Sequence, residues 1–527
     1  MIPSNHPMIL DPTARRTLPD LLAARMAGRP SKTFLTFVDR EMKTRAKYTY
    51  AEVDAHASRV AAYLQKTGIK KGETVVLHMP NVPEFLFAWL GIAKAGAVMV
   101  ATNLKSAPDE MEYFLTHSEA KCLISHTEHL EAVEPILGKC PAIREVILAG
   151  ENAGKRTPFS KLLESDPADF KAPAIDPLDT CAILYTSGTT SRPKGVMITH
   201  GNYVWASEVM CRTTALREED RHIVCAPFFH INAQTYSTLP ALAAGADMIL
   251  MERFSKRRYW DVCAEHKPTV ASLVTSMIRM LLSEPPHPKE KSHNLRLVGC
   301  GAKTPDFEKR YGVKTIGWFG MTETLTVPLA TSLQDAGKPG AIGFVNPGYR
   351  ARVLREDGSP CGPGEVGALE IWGVPGVSLM KGYLKNEEAT RETISPDGWL
   401  KTGDNVSVDE RGYVTYVNRG KDMLKVGGEN VAASEIERVV QSHPAVYEAA
   451  AIAIPDAMLG EVPKVFALCR EGKTATPEEI IAWCKERLAS FKVPRAVEFR
   501  QELPRSTLDK VAKKVLLAEE AEKRKRV

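Results

Sequence analysis

Apolar residues along the first two thirds of this chain come in short dense runs separated by amphipathic stretches, a pattern of alternating strands and helices. VVLHM (75–79) is β-rich. Asn81 and Pro83 offer a cap and a first turn for a helix that Gly96 stops, and AVMVA (97–101) follows as a second strand. The same order recurs in IVCAPFFH (223–230), a helix through about Ala244, a stop at Gly245, and ADMILM (246–251). Both units carry Pro after the strand and Gly near the helix end, which predicts two related α/β subdomains with mostly parallel sheets. TVASLV and LRLVGC extend the alternation.

From about Gly348 the pattern changes. REDGSP, PDGWL and DERGYV are hairpin signals between short β-rich runs, predicting a small antiparallel β-barrel or sheet. After Lys421 the helical period returns at Ile436, Val439 and Val440. Two strands follow, and Thr476-Pro477-Glu478-Glu479 opens another helix in capping-box style. The expected fold is α/β. Residues 1–420 form a large N-terminal part (about 1–175 and 176–347 as α/β subdomains, 348–420 as barrel), and 421–527 form an α+β C-terminal domain.

Composition changes this picture little. With 69 basic and 64 acidic residues, the net charge of +5 calls for no nucleic-acid partner. The 10 cysteines show no paired spacing and read as reduced, mostly buried thiols of a cytoplasmic protein. His126 and His129 read as surface residues, not metal ligands. The N-terminus lacks an apolar run of signal-peptide length. Phe85 to Ala101 is broken by Lys94, so no membrane span is expected. The basic end KKVLLAEEAEKRKRV, interrupted by Glu519, Glu520 and Glu522, reads as a solvated helix face.

The chemistry begins at TSGTTSRPKG (186–195). Small hydroxylated residues let backbone N–H and side-chain O–H groups surround an anion, and Lys194 adds charge. A polar surface loop has the same composition, so the loop alone decides nothing. The lysine is also misplaced for a Walker A loop. In order along the chain follow PFFH (227–230), WFGMTET (318–324), KTGD (401–404), NRGKDMLKVGGENV (418–431) and LPRSTLDK (503–510). With YTSGTTSRPKGVMITH, this series resembles the ANL superfamily of acyl-CoA synthetases, adenylation domains and firefly-type luciferases. The resemblance runs from TYAEVD (49–54) to the end of the chain. No Ser-His-Asp arrangement, GxSxG elbow or HExxH motif competes.

The resemblance implies ATP-dependent activation of a small-molecule carboxylic acid as an acyl-adenylate, with ATP, Mg²⁺ and coenzyme A as cofactors or cosubstrates. Thr186, Ser187, Gly188, Thr189, Thr190 and Lys194 would hold the phosphates. Thr322 would contact the α-phosphate. Glu323, with Thr189, would serve the metal, a hard cation that prefers oxygen ligands. Phe319 would stack on adenine opposite Gly301 and Ala302. Asp404 would accept both ribose hydroxyls, and Arg419 would bind ribose or phosphate. Lys510 would stabilise charge between carboxylate and phosphate, and Lys421 would be an interdomain hinge. His230, Ile231, Gln234 and Trp318 would border the acyl pocket. His230 would gate it, although a satisfied core histidine is the bland alternative.

GGENV (427–431) resembles the coenzyme A ligases, with Lys425, Gly427 and Gly428 beside the pantetheine. The crotonobetaine/carnitine–CoA ligase branch is the nearest in pattern. Trp318 stands where many relatives carry a small residue, which predicts short, compact acids. Ser191 replaces a common glycine of the phosphate loop. Asp509 replaces the glycine usually preceding the catalytic lysine, which keeps open an impaired nucleotide-binding homologue. Transfer to a carrier protein is the other alternative, and a homodimer is a candidate assembly.

Overall fold

The structure, a computed structural model, describes residues 16–186, 192–334, 337–419, 423–504 and 511–525. Sheets of 13, 8 and 5 strands organise them. Thr74–His78 pairs in parallel with Val98–Ala101 across the helix Pro83–Lys94, and Arg221–Val224 pairs in parallel with Asp247–Met251. Both strand–helix–strand units are thus present, the first in the 8-stranded sheet and the second in the long one. Gly245 takes the left-handed backbone that ends its helix, at φ +75°.

Two local expectations need correction. Asn81 does not cap the helix that follows. Val82 occupies the cap without a side-chain bond, and helix entry rests on Pro83. The Asn81 amide instead donates to the carbonyls of Ala226 (2.9 Å) and Met251 (3.2 Å) and accepts from the Phe228 N–H (2.8 Å). It therefore ties the 8-stranded sheet to the strand end that leads into His230. The second helix also begins differently: Asn232–Thr238 is a π-helix before the α-helix Leu239–Ala244, a widened turn of the kind found at functional sites.

Sheet membership does not follow sequence order. Thr33–Val38 and Thr44–Thr49 join the long sheet beside Asp247–Met251, whereas Thr180–Thr186 and Lys194–Thr199 join the 8-stranded one. Each of these sheets takes strands from both sides of residue 175, where the sequence suggested a division. Parallel pairing needs long crossovers, so neighbours in sequence need not be neighbours in a sheet.

The hairpin-rich segment gives an antiparallel ladder of Arg350–Leu354, Val366–Trp372, Trp399–Val408, Val414–Arg419 and Ala341–Val345 that continues the long sheet. From Met423 a separate sheet packs helices Ala433–Gln441 and Pro477–Lys485 over a core that includes Ile436, Val440, Val465 and Ile480. Thr476 and Glu479 form the expected capping box. The basic end is not simply solvated. Lys513–Lys525 is a helix whose Leu516 is buried, and whose Glu520 accepts from buried Lys464 at 2.7 Å. Among the described residues no helix is long and apolar enough to cross a membrane.

Candidate active site

The hairpin of Thr180–Thr186 and Lys194–Thr199 pairs Thr186 directly with Lys194, so both ends of the phosphate-loop motif meet at one point. Ser187, Gly188, Thr189 and Thr190 lie outside the described residues, as do Lys421 and Lys510. The Lys194 ammonium stands 4.8 Å over the ring of Tyr383. The Tyr383 hydroxyl donates to Glu323 Oε1 at 2.9 Å. One tyrosine therefore connects the lysine and the carboxylate expected to serve ATP and Mg²⁺. Sequence reasoning missed Tyr383. Its only local signal was an aromatic residue between Gly382 and Leu384, flanked by Lys381 and Lys385, which says nothing about a partner 60 residues away. Glu323 is buried in the short helix Thr322–Thr324, and its backbone carbonyl accepts from the Met380 N–H. A buried carboxylate of this kind is a hard oxygen donor suited to Mg²⁺.

The residues expected around adenine are brought together by parallel pairing. Leu297–Cys300 lies beside Lys314–Phe319, with Cys300 opposite Gly317. Gly301 and Ala302 leave the first strand where Phe319 ends the second. A Cβ at Gly317 would overlap the Ala341 carbonyl and crowd Ala302, so only glycine permits this approach. Asp404 is 2% exposed and stands opposite Arg419 in the antiparallel pair Trp399–Val408 and Val414–Arg419. The two expected ribose-binding residues are thus cross-strand neighbours.

The expected acyl-pocket residues divide. Gln234 is fully buried. It accepts from the Tyr203 hydroxyl at 2.6 Å and donates to the Phe228 carbonyl at 2.7 Å. Its amide holds the π-helix in place. Trp318 is 6% exposed and lies so close over Gly299 that a Cβ there would overlap the indole. Tyr236 meets the indole edge-to-face at 5.6 Å. Ile231 is buried beside His230 at the start of the π-helix.

His230 is half-exposed, and its Nε2 lies 2.8 Å from Glu429 Oε1. Burial opposes protonation of the imidazole, but the Glu429 carboxylate outweighs it and raises the pKa above its ordinary value. Burial pushes Glu429 upward in turn, yet His230 holds it below the usual carboxylate value. His230 is thus satisfied by a partner from the C-terminal sheet.

The glycines of GGENV lie in a hairpin. Gly427 (φ +61°) and Gly428 (φ +99°) form the two-residue turn between Met423–Val426 and Glu429–Ala432. The Gly427 carbonyl accepts from Ser276 Oγ at 2.9 Å. Lys425 is exposed, with its backbone N–H bound to Glu461. The next residues, Glu429 and Asn430, line a narrow space of about 70 Å³ that also meets Thr102, Ser106, His230 and Phe491. Ser106 and Phe491 also line an adjoining space of about 960 Å³, into which Lys105, His129, Lys485 and Arg495 face. A neck between the two domains thus opens into a wider vestibule of mixed charge, with Glu128, Glu131 and Glu486 beside those cations. Among the described residues no group of three or more His, Cys, Asp and Glu could hold a metal ion, and His126 and His129 are both partly buried.

Residues 22–384 match the AMP-binding enzyme family, and residues 435–510 match the AMP-binding enzyme C-terminal domain. A crotonobetaine/carnitine–CoA ligase of Citrobacter koseri is 36% identical over 496 residues, covering 92% of this chain and 96% of that protein. An o-succinylbenzoate CoA synthetase from Bacillus subtilis superposes with a TM-score of 0.81 at 26% identity, covering 95% of this chain and 98% of that one. An anthranilate CoA ligase bound to anthranoyl-AMP superposes with a TM-score of 0.73 at 27% identity, covering 98% and 99%. The chain belongs to the AMP-binding enzyme family, as an ATP-dependent, AMP-forming acid–CoA ligase.

Proposed function

We propose that the acid is short and compact, of the crotonobetaine and carnitine class or a small relative, and that the ligase works in the cytoplasm. The observation that carries this reading is the seat of Trp318. With the indole sunk onto Gly299 and braced by Tyr236, the space a long acyl chain would need is filled by aromatic rings. The sequence likeness to crotonobetaine/carnitine–CoA ligases supports the same size class.

In the first half-reaction an oxygen of the acid bonds to the α-phosphorus of ATP, and pyrophosphate leaves. Thr186, Ser187, Gly188, Thr189, Thr190 and Lys194 would hold the phosphates, with Thr322 at the α-phosphate. Asp404 and Arg419 hold the ribose, and Phe319 with Gly301 and Ala302 takes the adenine. Mg²⁺ held by Glu323 would offset phosphate charge. Lys510 stabilises the charge that develops between the reacting groups. In the second half-reaction the thiol sulfur bonds to the acyl carbon, and AMP leaves. The neck beside Glu429 and Asn430 suits the pantetheine arm, and the lysines and arginine of the vestibule suit phosphates. Lys421 would be the hinge that exchanges Lys510 for the Glu429 hairpin.

A panel of acetate, butyrate, octanoate, palmitate, carnitine and crotonobetaine tests the reading, with pyrophosphate release and CoA-thiol consumption measured for each. Preference for palmitate would overturn it.

A further inference from the structure

A buried ionic cluster, separate from the nucleotide and acyl groups, joins the two halves of the molecule. Glu110 lies in the first turn of the helix Pro108–His117 and is 7% exposed. Its Oε2 accepts from the Ala107 N–H at 3.0 Å, closing the helix's own N-terminus, and its Oε1 accepts from the Lys492 ammonium. Lys492 is 5% exposed and comes from the far side of the domain interface, in the segment before the strand Ala496–Phe499. The same ammonium donates to Glu435 Oε1 at 2.8 Å, in the first turn of the helix Ala433–Gln441.

The composition of this cluster is informative. Lys492 already has an intradomain partner in Glu435, so the C-terminal domain does not need Glu110 to satisfy it. A second buried carboxylate against one ammonium adds like-charge repulsion and desolvation cost, offset by a short charge-assisted bond and by the positive end of the Glu110 helix. Glu435 registers the conflict: burial, with Glu110 adding to it, raises its pKa although Lys492 opposes the rise. An arrangement of this kind is a poor source of bulk stability and a good source of positional specificity. Its geometry is met only when the two domains sit as they do here. Both Glu110 and Lys492 also line the narrow cavity that holds His230 and Glu429, so the cluster fixes the wall of the neck.

We infer that Glu110 is a positioning residue for thioester formation, holding Lys492 across the domain interface so that the Glu429 hairpin meets His230 and the neck stays open. The inference rests on the reading that the thiol-transfer step uses this domain arrangement. Adenylation, which brings Lys510 to the site instead, does not use the contact.

The test is a pair of single-turnover assays on the full-length protein with the best acid of the panel: pyrophosphate release from ATP and acid, and thioester formation from synthetic acyl-adenylate and CoA. Glu110→Ala is expected to leave adenylation within about threefold and to slow thioester formation by about ten- to a hundredfold, as for loss of a charge-assisted bond. Lys492→Met is expected to show the same split. The double variant is expected to be no slower in thioester formation than the slower single one, because both remove one contact. Glu110→Gln removes the charge while retaining an amide oxygen for the Ala107 N–H, so it guards against a folding failure. It is expected to show a smaller split of the same sign. Equal damage to both half-reactions, a thioester rate within threefold of wild type in folded Glu110→Ala or Glu110→Gln, or additive effects in the double variant would overturn the inference. If wild type itself forms no thioester from acyl-adenylate and CoA, the reading of the second half-reaction fails first, and this inference falls with it.

Discussion

His230 Nε2 and Glu429 Oε1 lie 2.8 Å apart although 199 residues separate them, one beside the expected acyl pocket and the other on the C-terminal hairpin. The pair lines the neck only while the domains keep this relation, so its protonation is linked to domain position.

The sign of that linkage follows from the two shifts. His230 gains affinity for its proton when paired, so its contribution is full below its unpaired pKa and is lost as pH rises through the raised one. Glu429 is held charged when paired, so its contribution is present above its unpaired pKa and is lost as pH falls through the lowered one. Thioester formation is expected to peak between these limits. Glu429→Gln, which removes the carboxylate, is expected to bring the alkaline limb to lower pH. The pH profile of the second half-reaction checks this, and an unmoved limb would show that the pair does not govern the step.

Trp318→Gly is expected to admit longer or bulkier acids, at a stability cost of about 3–5 kcal/mol for emptying a large aromatic site. Gly299→Ala is expected to act in the opposite sense, because its Cβ would push the indole off its seat. Thermal melts and KM values across the acid panel separate the two effects. An unchanged chain-length preference in Trp318→Gly would remove the indole from the specificity account.

Asp404→Ala is expected to raise KM for ATP by about ten- to a hundredfold, the loss of a charge-assisted pair of bonds worth about 1.5–3 kcal/mol. The ranking of acids is expected to stay the same. If ATP saturation does not change, the aspartate serves only its strand.

Tyr383→Phe removes one hydrogen bond to Glu323 and keeps the ring beneath Lys194. Adenylation is expected to fall by about three- to tenfold, with the Mg²⁺ concentration for half-maximal rate rising. Thioester formation from synthetic acyl-adenylate is expected to be spared. A variant with unaltered Mg²⁺ dependence would show that the hydroxyl does not position the carboxylate.

Lys510→Ala is expected to slow adenylate formation by about 10²–10³-fold while sparing transfer from synthetic acyl-adenylate. Lys421→Pro, which fixes φ at the hinge, is expected to do the reverse. Rapid-quench measurement of both half-reactions tests the alternation, and equal damage by either variant would argue against it.

The chain order of motifs, the two strand–helix–strand units and the Thr476 cap were legible because each is written in contiguous residues by hydrophobic period or turn chemistry. The expected nucleotide residues came from the resemblance of contiguous motifs such as TSGTTSRPKG and KTGD, each a local peptide feature. What the sequence could not supply were the partners. Asn81 looked like a helix cap because asparagine before proline favours one, yet its amide is occupied by two distant carbonyls. Gly427 and Gly428 were expected beside a ligand, and the fold adds a two-residue turn that requires their positive φ. Sheet membership across residue 175, the seat of Trp318 on Gly299, the Tyr383 bridge, and the His230–Glu429 and Glu110–Lys492 contacts were decided by tertiary structure alone. Each joins residues far apart in sequence, and side-chain pairing at that range is set by how the sheets and domains pack, which no local pattern records.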